Sequence, residues 1–425
     1  MSALIETEIG TIAPDWKVEP LAKVCEPPQY GFTASAEEQG NVRFLRITDI
    51  TDSGVKWPTV PFCECPTELL NKYLLASGDI VFARIGATTG KSHLITNPPP
   101  CVFASYLIRV RAKPEIDPAF LSQFFRSVAY WRQVDAQKNA NLKKGVSGSL
   151  LKTLIVPVPP LPEQRKIAGV LGLVQRALEQ QQRLIALTTE LKKTLLHQLF
   201  TQGLRGEPQK QTEIGPVPQS WEVVELITAV EQIDYGISAP IPKTLPENGI
   251  KIVSTADITK DGRLLYGKIR RIEAPEKTVK RLTLRTGDVL FNWRNSAELI
   301  GKSGVFQEQD EPHVFASFIL RIRCGEKKSH NFYLAHLMNH FREKEVFIKL
   351  ARRAVNQANY NRNEISVLKI PLPPYQEQRD IADVIAVTDA KIDLQRRKHA
   401  TLTALFRTLL HQLMTAQIRV NDPSP

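Results

Sequence analysis

A duplicated segment constrains this chain more than any other feature of its sequence. The stretch PLPEQRKIAG at 160–169 returns as PYQEQRDIAD at 374–383, and each copy is followed by a long run that ends in His-Gln-Leu. The copies align without a gap, because Glu163 and Glu377 are 214 residues apart (377 minus 163), as are His197 and His411 (411 minus 197). Repetition at a fixed offset indicates that one structural unit is used twice, so two similar halves are expected.

The region before each duplicated run is also repeated, with small insertions. Gly-Asp at 78–79 and 287–288, Gly-Lys-Ser at 90–92 and 301–303, and VFASYLIRVR at 102–111 with VFASFILRIR at 314–323 keep one order in both halves. Two copies of a domain show this pattern once their loops have diverged. The sequence therefore predicts a first module at 1–157, a helix at 158–206, a second module at 207–371 and a second helix at 372–425.

Both duplicated runs are predicted to be long helices. Apolar residues recur every three or four positions from Ile167 to Leu199 and from Ile381 to Leu413, which gives each helix one apolar stripe. Pro162 suits a first helical turn, because proline has no N–H that the turn would leave unpaired. A helix of about 38 residues is about 57 Å long. Since such a helix cannot bury its stripe within one small module, the two helices are expected to pair as an antiparallel coiled coil.

Each module is predicted to mix strands and helices. The segments at 78–91 and 102–111 are rich in β-branched and aromatic residues, as strands are, whereas 117–134 and 331–350 have helical spacing. The predicted fold class is therefore α+β. It consists of two mixed α/β modules joined by two long antiparallel helices, with a pseudo-two-fold internal repeat.

The charge of the chain favours a polyanionic partner. The 56 Lys and Arg exceed the 44 Asp and Glu, giving a net charge of +12, and basic side chains that neutralise phosphates release condensed counterions. The five cysteines are scattered and lack the spacing of metal ligands, so neither a disulfide framework nor a zinc site is predicted. Because no apolar run reaches the roughly 20 residues that span a bilayer, a cytoplasmic location without membrane contact is expected.

Two short motifs resemble catalytic signatures but do not match them. A P-loop, G-x-x-x-x-G-K-[ST], would need glycine where Ile85 stands before Gly90-Lys91-Ser92, and the second copy has Ser296 at that place. The tetrad NPPP at 97–100 lacks the aromatic fourth residue of amino-methyltransferases. No carboxylate–lysine nuclease set or nucleophile triad is evident in the sequence either. We therefore predict no catalytic residue and no cofactor for this chain.

Polar and basic side chains beside the predicted strands are candidates for contact with DNA. A Gly-Lys-Ser turn offers N–H groups, a hydroxyl and an ammonium to a phosphate, while Asn, Gln, Arg and Lys can bond base edges. For each set, the alternative is an ordinary hairpin or a solvated loop. The candidates are Arg84, Gly90, Lys91, Ser92, Asn141, Lys143 and Lys144 in the first module, and Arg294, Asn295, Lys302, Ser303, Asn359, Tyr360, Asn361 and Arg362 in the second.

The order of these motifs resembles the specificity subunits of type I restriction–modification enzymes over essentially the whole chain. It is carried by the two P-P-x-x-E-Q-R helix starts and by the repeated Gly-Asp, Gly-Lys-Ser and VFAS motifs. The resemblance implies two target recognition domains, each reading one half of a split, asymmetric site in double-stranded DNA. It also implies that the helices dock two methyltransferase subunits, that restriction subunits are further partners, and that catalysis belongs to those partners. The alternative is a non-catalytic coiled-coil scaffold whose basic modules bind proteins.

Overall fold

The chain folds into two compact units, each of which holds one module and one end of each long helix. A computed structural model describes residues 5–51, 54–140, 145–238, 249–267, 269–350, 352–354 and 357–420. The first unit comprises Met1–Leu184 and Gln395–Pro425, and the second comprises Ile185–Leu394. Both units are mixed α/β, as the sequence predicts.

The first module contains thirteen short strands and five helices in its described part, and one long helix follows it. The strands are β1 (Ile5–Thr7), β2 (Gly10–Ile12), β3 (Lys17–Pro20), β4 (Gln29–Tyr30), β5 (Val42–Leu45), β6 (Ile50–Thr51), β7 (Gly54–Val55), β8 (Phe62–Cys63), β9 (Ile80–Ala83), β10 (Ser92–Leu94), β11 (Cys101–Phe103), β12 (Leu107–Val110) and β13 (Ile155–Val158). The helices are α1 (Leu21–Val24), α2 (Thr67–Tyr73), α3 (Pro118–Phe124), α4 (Val128–Ala140), α5 (Gly148–Thr153) and the long α6 (Leu161–Thr201).

The second module and the helix that follows it repeat this series. Its strands are β14 (Gln209–Thr212), β15 (Gly215–Pro218), β16 (Glu222–Glu225), β17 (Val230–Tyr235), β18 (Ile250–Val253), β19 (Arg270–Ile272), β20 (Val289–Asn292), β21 (Arg294–Asn295), β22 (Ser303–Val305), β23 (His313–Phe315), β24 (Ile319–Cys324), β25 (Arg352–Ala354), β26 (Gln357–Asn359) and β27 (Lys369–Leu372). Its helices are α7 (Leu226–Ala229), α8 (Glu276–Leu282), α9 (Asn331–Glu343), α10 (Val346–Leu350), α11 (Arg362–Ser366) and the long α12 (Tyr375–Met414).

The sheets of the two modules have the same topology. An antiparallel sheet of order β10-β9-β12-β4 in the first module corresponds to β22-β20-β24-β17 in the second. A smaller sheet pairs β11 in parallel with β5, as β23 pairs in parallel with β18. The strand before each long helix pairs with a strand near the start of its module, β13 with β3 and β27 with β16. The second module adds a three-stranded sheet, β21-β26-β25, beside the shared frame.

The aspartate of the repeated Gly-Asp motif is buried and braces the larger sheet by pairing with a partly exposed arginine. Asp79 is 1 % exposed, and its two carboxylate oxygens accept hydrogen bonds from Arg111 at 2.7 and 3.0 Å. Asp288 makes the same bidentate pair with Arg323 at 2.8 and 2.9 Å. A planar guanidinium matches a carboxylate in this geometry, which gives the contact direction as well as strength. The motif is therefore structural in both modules.

The start of each long helix is fastened to its own module by a buried glutamine. The side chain of Gln164 accepts a hydrogen bond from the N–H of Asp117 (2.8 Å) and donates to the carbonyls of Pro159 (2.9 Å) and Glu115 (3.2 Å). Gln378 is bonded in the same pattern, to His330, Pro373 and Lys328. Both glutamines are fully buried, so the E-Q-R motif anchors the helix.

The two long helices run antiparallel, which is evident in each unit separately. In the first unit, Ile167 and Leu171 near the start of α6 share a core with Leu410 and Leu413 near the end of α12. In the second unit, a shared core joins the opposite ends, with Leu196, Leu199 and Phe200 of α6 beside Ile381 and Ile385 of α12. Each helix end therefore completes the core of a module, as the predicted coiled coil requires.

Ion pairs reinforce both junctions at equivalent positions. Arg419 donates to Glu163 at 2.6 and 2.9 Å and to Asp15 at 2.8 Å in the first unit. Arg205, which lies 214 residues before Arg419 (419 minus 205), pairs with Glu377 at 3.6 Å in the second. In each unit, an arginine beyond the C-terminal end of one long helix thus pairs with the glutamate at the start of the other.

We expect the substitutions Gln164→Ala and Gln378→Ala each to lower the free energy of unfolding by about 2 kcal/mol, because each leaves buried backbone groups without partners. Urea denaturation followed by circular dichroism measures the change. Gln182→Ala is the matched control, since Gln182 is exposed on the same helix as Gln164. An effect of Gln164→Ala no larger than that of the control would contradict the anchoring role.

Candidate nucleic-acid interface

An exposed cluster of one arginine and two tyrosines lies at the end of β9 in the first module. Arg84 follows β9 directly, and its guanidinium carbon lies 5.1 Å from the ring centroid of Tyr30. The hydroxyl of Tyr30 accepts a hydrogen bond from the N–H of Gly148 at 2.9 Å, while Tyr106 is 56 % exposed and its carbonyl accepts from the N–H of Arg84. We call Tyr30, Arg84 and Tyr106 the first aromatic–arginine surface.

The second module has an equivalent cluster with different side chains. Trp293 takes the place of Arg84. Its backbone N–H donates to the carbonyl of Phe318, and its ring centroid lies 5.3 Å from that of Tyr235. The hydroxyl of Tyr235 accepts from the N–H of Arg362 at 3.0 Å, as Tyr30 does from Gly148. The guanidinium of Arg294 lies 5.1 Å from the ring of Phe318. We call Tyr235, Trp293, Arg294 and Phe318 the second aromatic–arginine surface.

A glycine follows the tyrosine of each surface and lets the chain pass close to the neighbouring strand. A Cβ placed on Gly31, next to Tyr30, would lie 2.2 Å from the carbonyl oxygen of Ala104, and one on Gly236 would lie 2.3 Å from that of Phe315. Only glycine permits this approach of the chain to the VFAS strand. The tyrosine before each glycine pairs with the strand that follows the motif, Tyr30 with Ile108 and Tyr235 with Leu320. Tyr30, Tyr106, Tyr235, Trp293 and Phe318 were not among the contacts predicted from the sequence. The recurring Tyr-Gly pair was the signal that could have found the tyrosines.

Such surfaces can contact a nucleic acid in two ways. An arginine donates paired hydrogen bonds to phosphate or to guanine, and an exposed aromatic ring packs against sugars, thymine methyl groups or base faces. Phe318 and Tyr235 remain 45 % and 40 % exposed, although buried apolar area stabilises a folded chain. Exposed aromatic side chains beside arginine are typical of binding surfaces.

The Gly-Lys-Ser turns differ between the modules. Gly90 and Gly301 both lie in the left-handed region, at φ +90° and +86°, so the turns share one backbone conformation. Lys91 is exposed, whereas Lys302 is only 5 % exposed. The ammonium of Lys302 donates to the carbonyls of Thr255 (2.8 Å) and Ile258 (2.6 Å), and burial lowers its pKa. Ser303 is fully buried as well. The phosphate contact predicted for Lys302 and Ser303 is therefore wrong for this structure, because both side chains are enclosed by the module.

Two further candidates in the second module have internal roles. Tyr360 is 4 % exposed, its ring lies 5.5 Å from that of Phe347, and burial raises its pKa to about 12. Asn361 caps α11, since its side-chain oxygen accepts from the N–H groups of Asn363 and Glu364. The DNA contact predicted for Tyr360 therefore does not fit its burial. The side-chain oxygen of Asn361 is already used as an acceptor within the chain.

The remaining candidates lie on or beside the surface. Asn359 pairs with Arg294 across the strands β26 and β21, which places it next to the second aromatic–arginine surface. Arg362 is exposed, and the side-chain oxygen of Asn295 accepts from the N–H of Ser296 at 2.9 Å. Ser92 is half-buried in β10. Asn141, Lys143 and Lys144 lie outside the described residues.

The described residues also limit what else the chain can hold. No group of three or more His, Cys, Asp or Glu in that part of the chain is placed to bind a metal ion. Within the same residues, no helix has both the length and the apolar composition that crossing a bilayer requires.

We expect Lys302→Met to lower the free energy of unfolding by about 2 kcal/mol, because the carbonyls of Thr255 and Ile258 lose their shared donor. Lys91→Met is the matched control at the equivalent turn and should change the free energy by less than about 0.5 kcal/mol. Chemical denaturation of both variants measures the difference. Equal effects would show that Lys302 is not held in the interior in solution.

Comparison with known proteins agrees with this architecture. The family model described as type I restriction modification DNA specificity domain matches the chain twice, at residues 14–189 and 219–404. The putative type I restriction enzyme MjaX specificity subunit of Methanocaldococcus jannaschii is 32 % identical over 222 residues, which cover 51 % of each chain. The chain thus spans about half the length of that relative.

Two further matches extend over nearly the whole chain. The type I restriction enzyme StySPI specificity subunit of Salmonella potsdam is 22 % identical, with 97 % of this chain and 92 % of that protein covered. A chain solved in a structure of a type I restriction–modification system superposes with a TM-score of 0.58 at 20 % identity, covering 96 % of this chain and 99 % of that one, which shows a shared fold. The two matches of the family model take in most of the sequence, and the chain belongs to the family of type I restriction–modification DNA specificity domains.

Proposed function

We propose that this chain is the DNA-recognition subunit of a type I restriction–modification complex, in which each module reads one half of a split target. The observation that carries the proposal is the pair of aromatic–arginine surfaces. They occupy equivalent places in the two modules, yet Arg84 in one corresponds to Trp293 in the other. Because the side chains differ at matching positions, the two half-sites are expected to differ, and the target is not a palindrome.

The proposed contacts combine residues predicted from the sequence with residues chosen for their exposure in the structure. Arg84, Lys91, Arg294, Asn359 and Arg362 are the polar contacts. The aromatic side chains of the two surfaces are the apolar contacts. The modules extend over 1–157 and 207–371 in this proposal, and the helices over 158–206 and 372–425. Asn141, Lys143 and Lys144 stay as predicted contacts of the first module.

The paired helices are proposed to dock methyltransferase subunits. After the helices pair, several apolar side chains still face solvent in the second unit, with Leu187, Leu191 and Val387 at 58 %, 62 % and 71 % exposure. Leu173 and Leu405, at 62 % and 44 %, are exposed in the first unit. These side chains stay exposed although the two helices already pack against each other. Exposed apolar residues of this kind favour a protein partner. Their occurrence in both units supports two methyltransferase subunits, through which restriction subunits join.

In this proposal the chain performs no chemistry of its own. Catalysis and its cofactors belong to the partner subunits, and this chain selects the site on which they act. Co-expression with the methyltransferase subunit, followed by mapping of methylated adenines, tests the proposal directly. A split, asymmetric site is the expected result. Methylation that does not depend on this chain, or DNA binding without any sequence preference, would overturn it.

We expect Arg84→Gln to weaken DNA binding and to reduce the slope of log K against log salt concentration by about 1, because one phosphate contact is lost. Lys17→Gln is the control, since it removes an exposed positive charge on β3, a strand that holds none of the proposed contacts, and should leave the slope as it is. Fluorescence anisotropy with a duplex at several salt concentrations gives both slopes. An unchanged slope for Arg84→Gln would remove this residue from the interface.

The helices are also proposed to set the spacing between the half-sites. Deleting four residues at equivalent places, 184–187 and 398–401, shortens both helices by about 6 Å, which corresponds to one or two base pairs. We expect the mapped target to keep both half-sites while the gap between them shortens. An unaltered gap in an active complex would contradict the spacing role.

A further inference from the structure

A groove lies at the start of the long helix in each unit. In the first unit its volume is about 320 Å³, and it is lined by the Gly-Asp turn before β9, the end of β12 and the first turns of α3 and α6. In the second unit its volume is about 660 Å³, and the turn before β20, the end of β24 and the first turns of α9 and α12 line it. We call these the two helix-start grooves. The charged residues that take matching places in them are Asp79 and Asp288, Arg111 and Arg323, and Arg165 and Arg379.

The arginine of the E-Q-R motif, Arg165 in one unit and Arg379 in the other, has no internal role. The glutamate of the motif pairs with an arginine at the junction, and the glutamine anchors the helix. Arg165 and Arg379 are both exposed, and within the described residues neither makes a hydrogen bond or an ion pair. A side chain that is repeated in both halves of the chain without an internal contact indicates a contact with another molecule.

Each helix-start groove lies at the opposite end of the larger sheet from the aromatic–arginine surface of its module. Asp79 directly precedes β9 and Arg84 directly follows it, so about 16 Å of extended strand separates the two residues. Asp288 and Trp293 lie in the same way on either side of β20. DNA bound at the aromatic–arginine surface of a module therefore leaves the groove of that module accessible to another partner.

Both grooves combine a small excess of positive charge with an apolar side chain beside the arginine. Among the described residues that line them, the first has three Lys and Arg against two Asp (3 minus 2), and the second has four against three Asp and Glu (4 minus 3). Leu161 lies in the first groove, and Tyr375 takes its place in the second, with its ring centroid 6.2 Å from that of His330. The carboxylates disfavour a phosphate backbone, whereas exposed arginine beside an apolar residue is typical of the centre of a protein interface.

We infer that each helix-start groove binds an acidic segment of one methyltransferase subunit, with the guanidinium of Arg165 or Arg379 paired to a carboxylate of that segment. This inference rests on the proposed function and adds a docking contact apart from the exposed apolar residues of the helices. Two copies of one partner need the same surface twice, whereas two unlike half-sites need surfaces that differ. The grooves repeat their charged residues in both units, and the aromatic–arginine surfaces do not. A guanidinium bonds a carboxylate through two parallel hydrogen bonds, which an ammonium cannot reproduce.

Analytical ultracentrifugation of the full chain with its methyltransferase subunit, without DNA, measures how many subunits bind. We expect Arg165→Ala and Arg379→Ala each to weaken one of two sites by at least about tenfold, because the carboxylate of the partner loses its paired cation. At a concentration at which the unaltered chain holds two subunits, each single variant should then hold one and the double variant none. Lysine at either position should retain part of the affinity. Arg270→Ala is the matched control, since Arg270 is an exposed arginine on β19, a strand that lines neither groove.

Thermal melts of each variant should match that of the unaltered chain, since neither arginine has an internal contact. Two subunits bound to the double variant as tightly as to the unaltered chain would overturn the inference and leave the proposed function standing. Variants that keep both subunits but bind DNA more weakly, with a smaller slope of log K against log salt concentration, would assign the grooves to DNA and also contradict it. If the unaltered chain binds no methyltransferase subunit, the proposed function fails together with the inference, so the unaltered chain distinguishes the two failures.

Discussion

The buried amides of Gln164 and Gln378 are the contacts on which the rest of the architecture depends. Each satisfies three backbone groups at the place where a module ends and a long helix begins. A glutamine has both a donor and an acceptor end, so one side chain can bond the preceding strand and the cap of the module's own helix. Both glutamines are fully buried, so water does not reach these hydrogen bonds. The bonds therefore determine the direction in which each long helix leaves its module.

The antiparallel helices complete the modules as well as connecting them. Leu410 and Leu413 of the last helix belong to the core of the first module, and Leu199 and Phe200 of the first long helix belong to that of the second. Arg419 and Arg205 close the two junctions at equivalent places. Since apolar burial supplies most of the stabilisation of a fold, neither module is complete without the distant end of a helix.

The two modules share their sheets and buried contacts, whereas the side chains on their surfaces differ. The Asp79–Arg111 and Asp288–Arg323 pairs and the glycines at 31 and 236 recur because a buried charge or a close backbone approach tolerates no substitute. At the ends of the same strands, one module presents an arginine where the other presents a tryptophan. A duplicated frame with divergent side chains is consistent with the proposed recognition of two unlike half-sites.

The amino-acid sequence by itself determined the repeat, the two long helices and their starts, the mixed α/β class and the resemblance to specificity subunits. These features depend on periodicity and on motifs that are local in the chain. Only the tertiary structure decided which candidate side chains reach the surface. Lys91 and Lys302 share one motif, yet the carbonyls of Thr255 and Ile258 enclose only the second. Tyr360 is likewise buried by Phe347. Exposure depends on what distant segments bring to a residue, and no local pattern in the sequence records that.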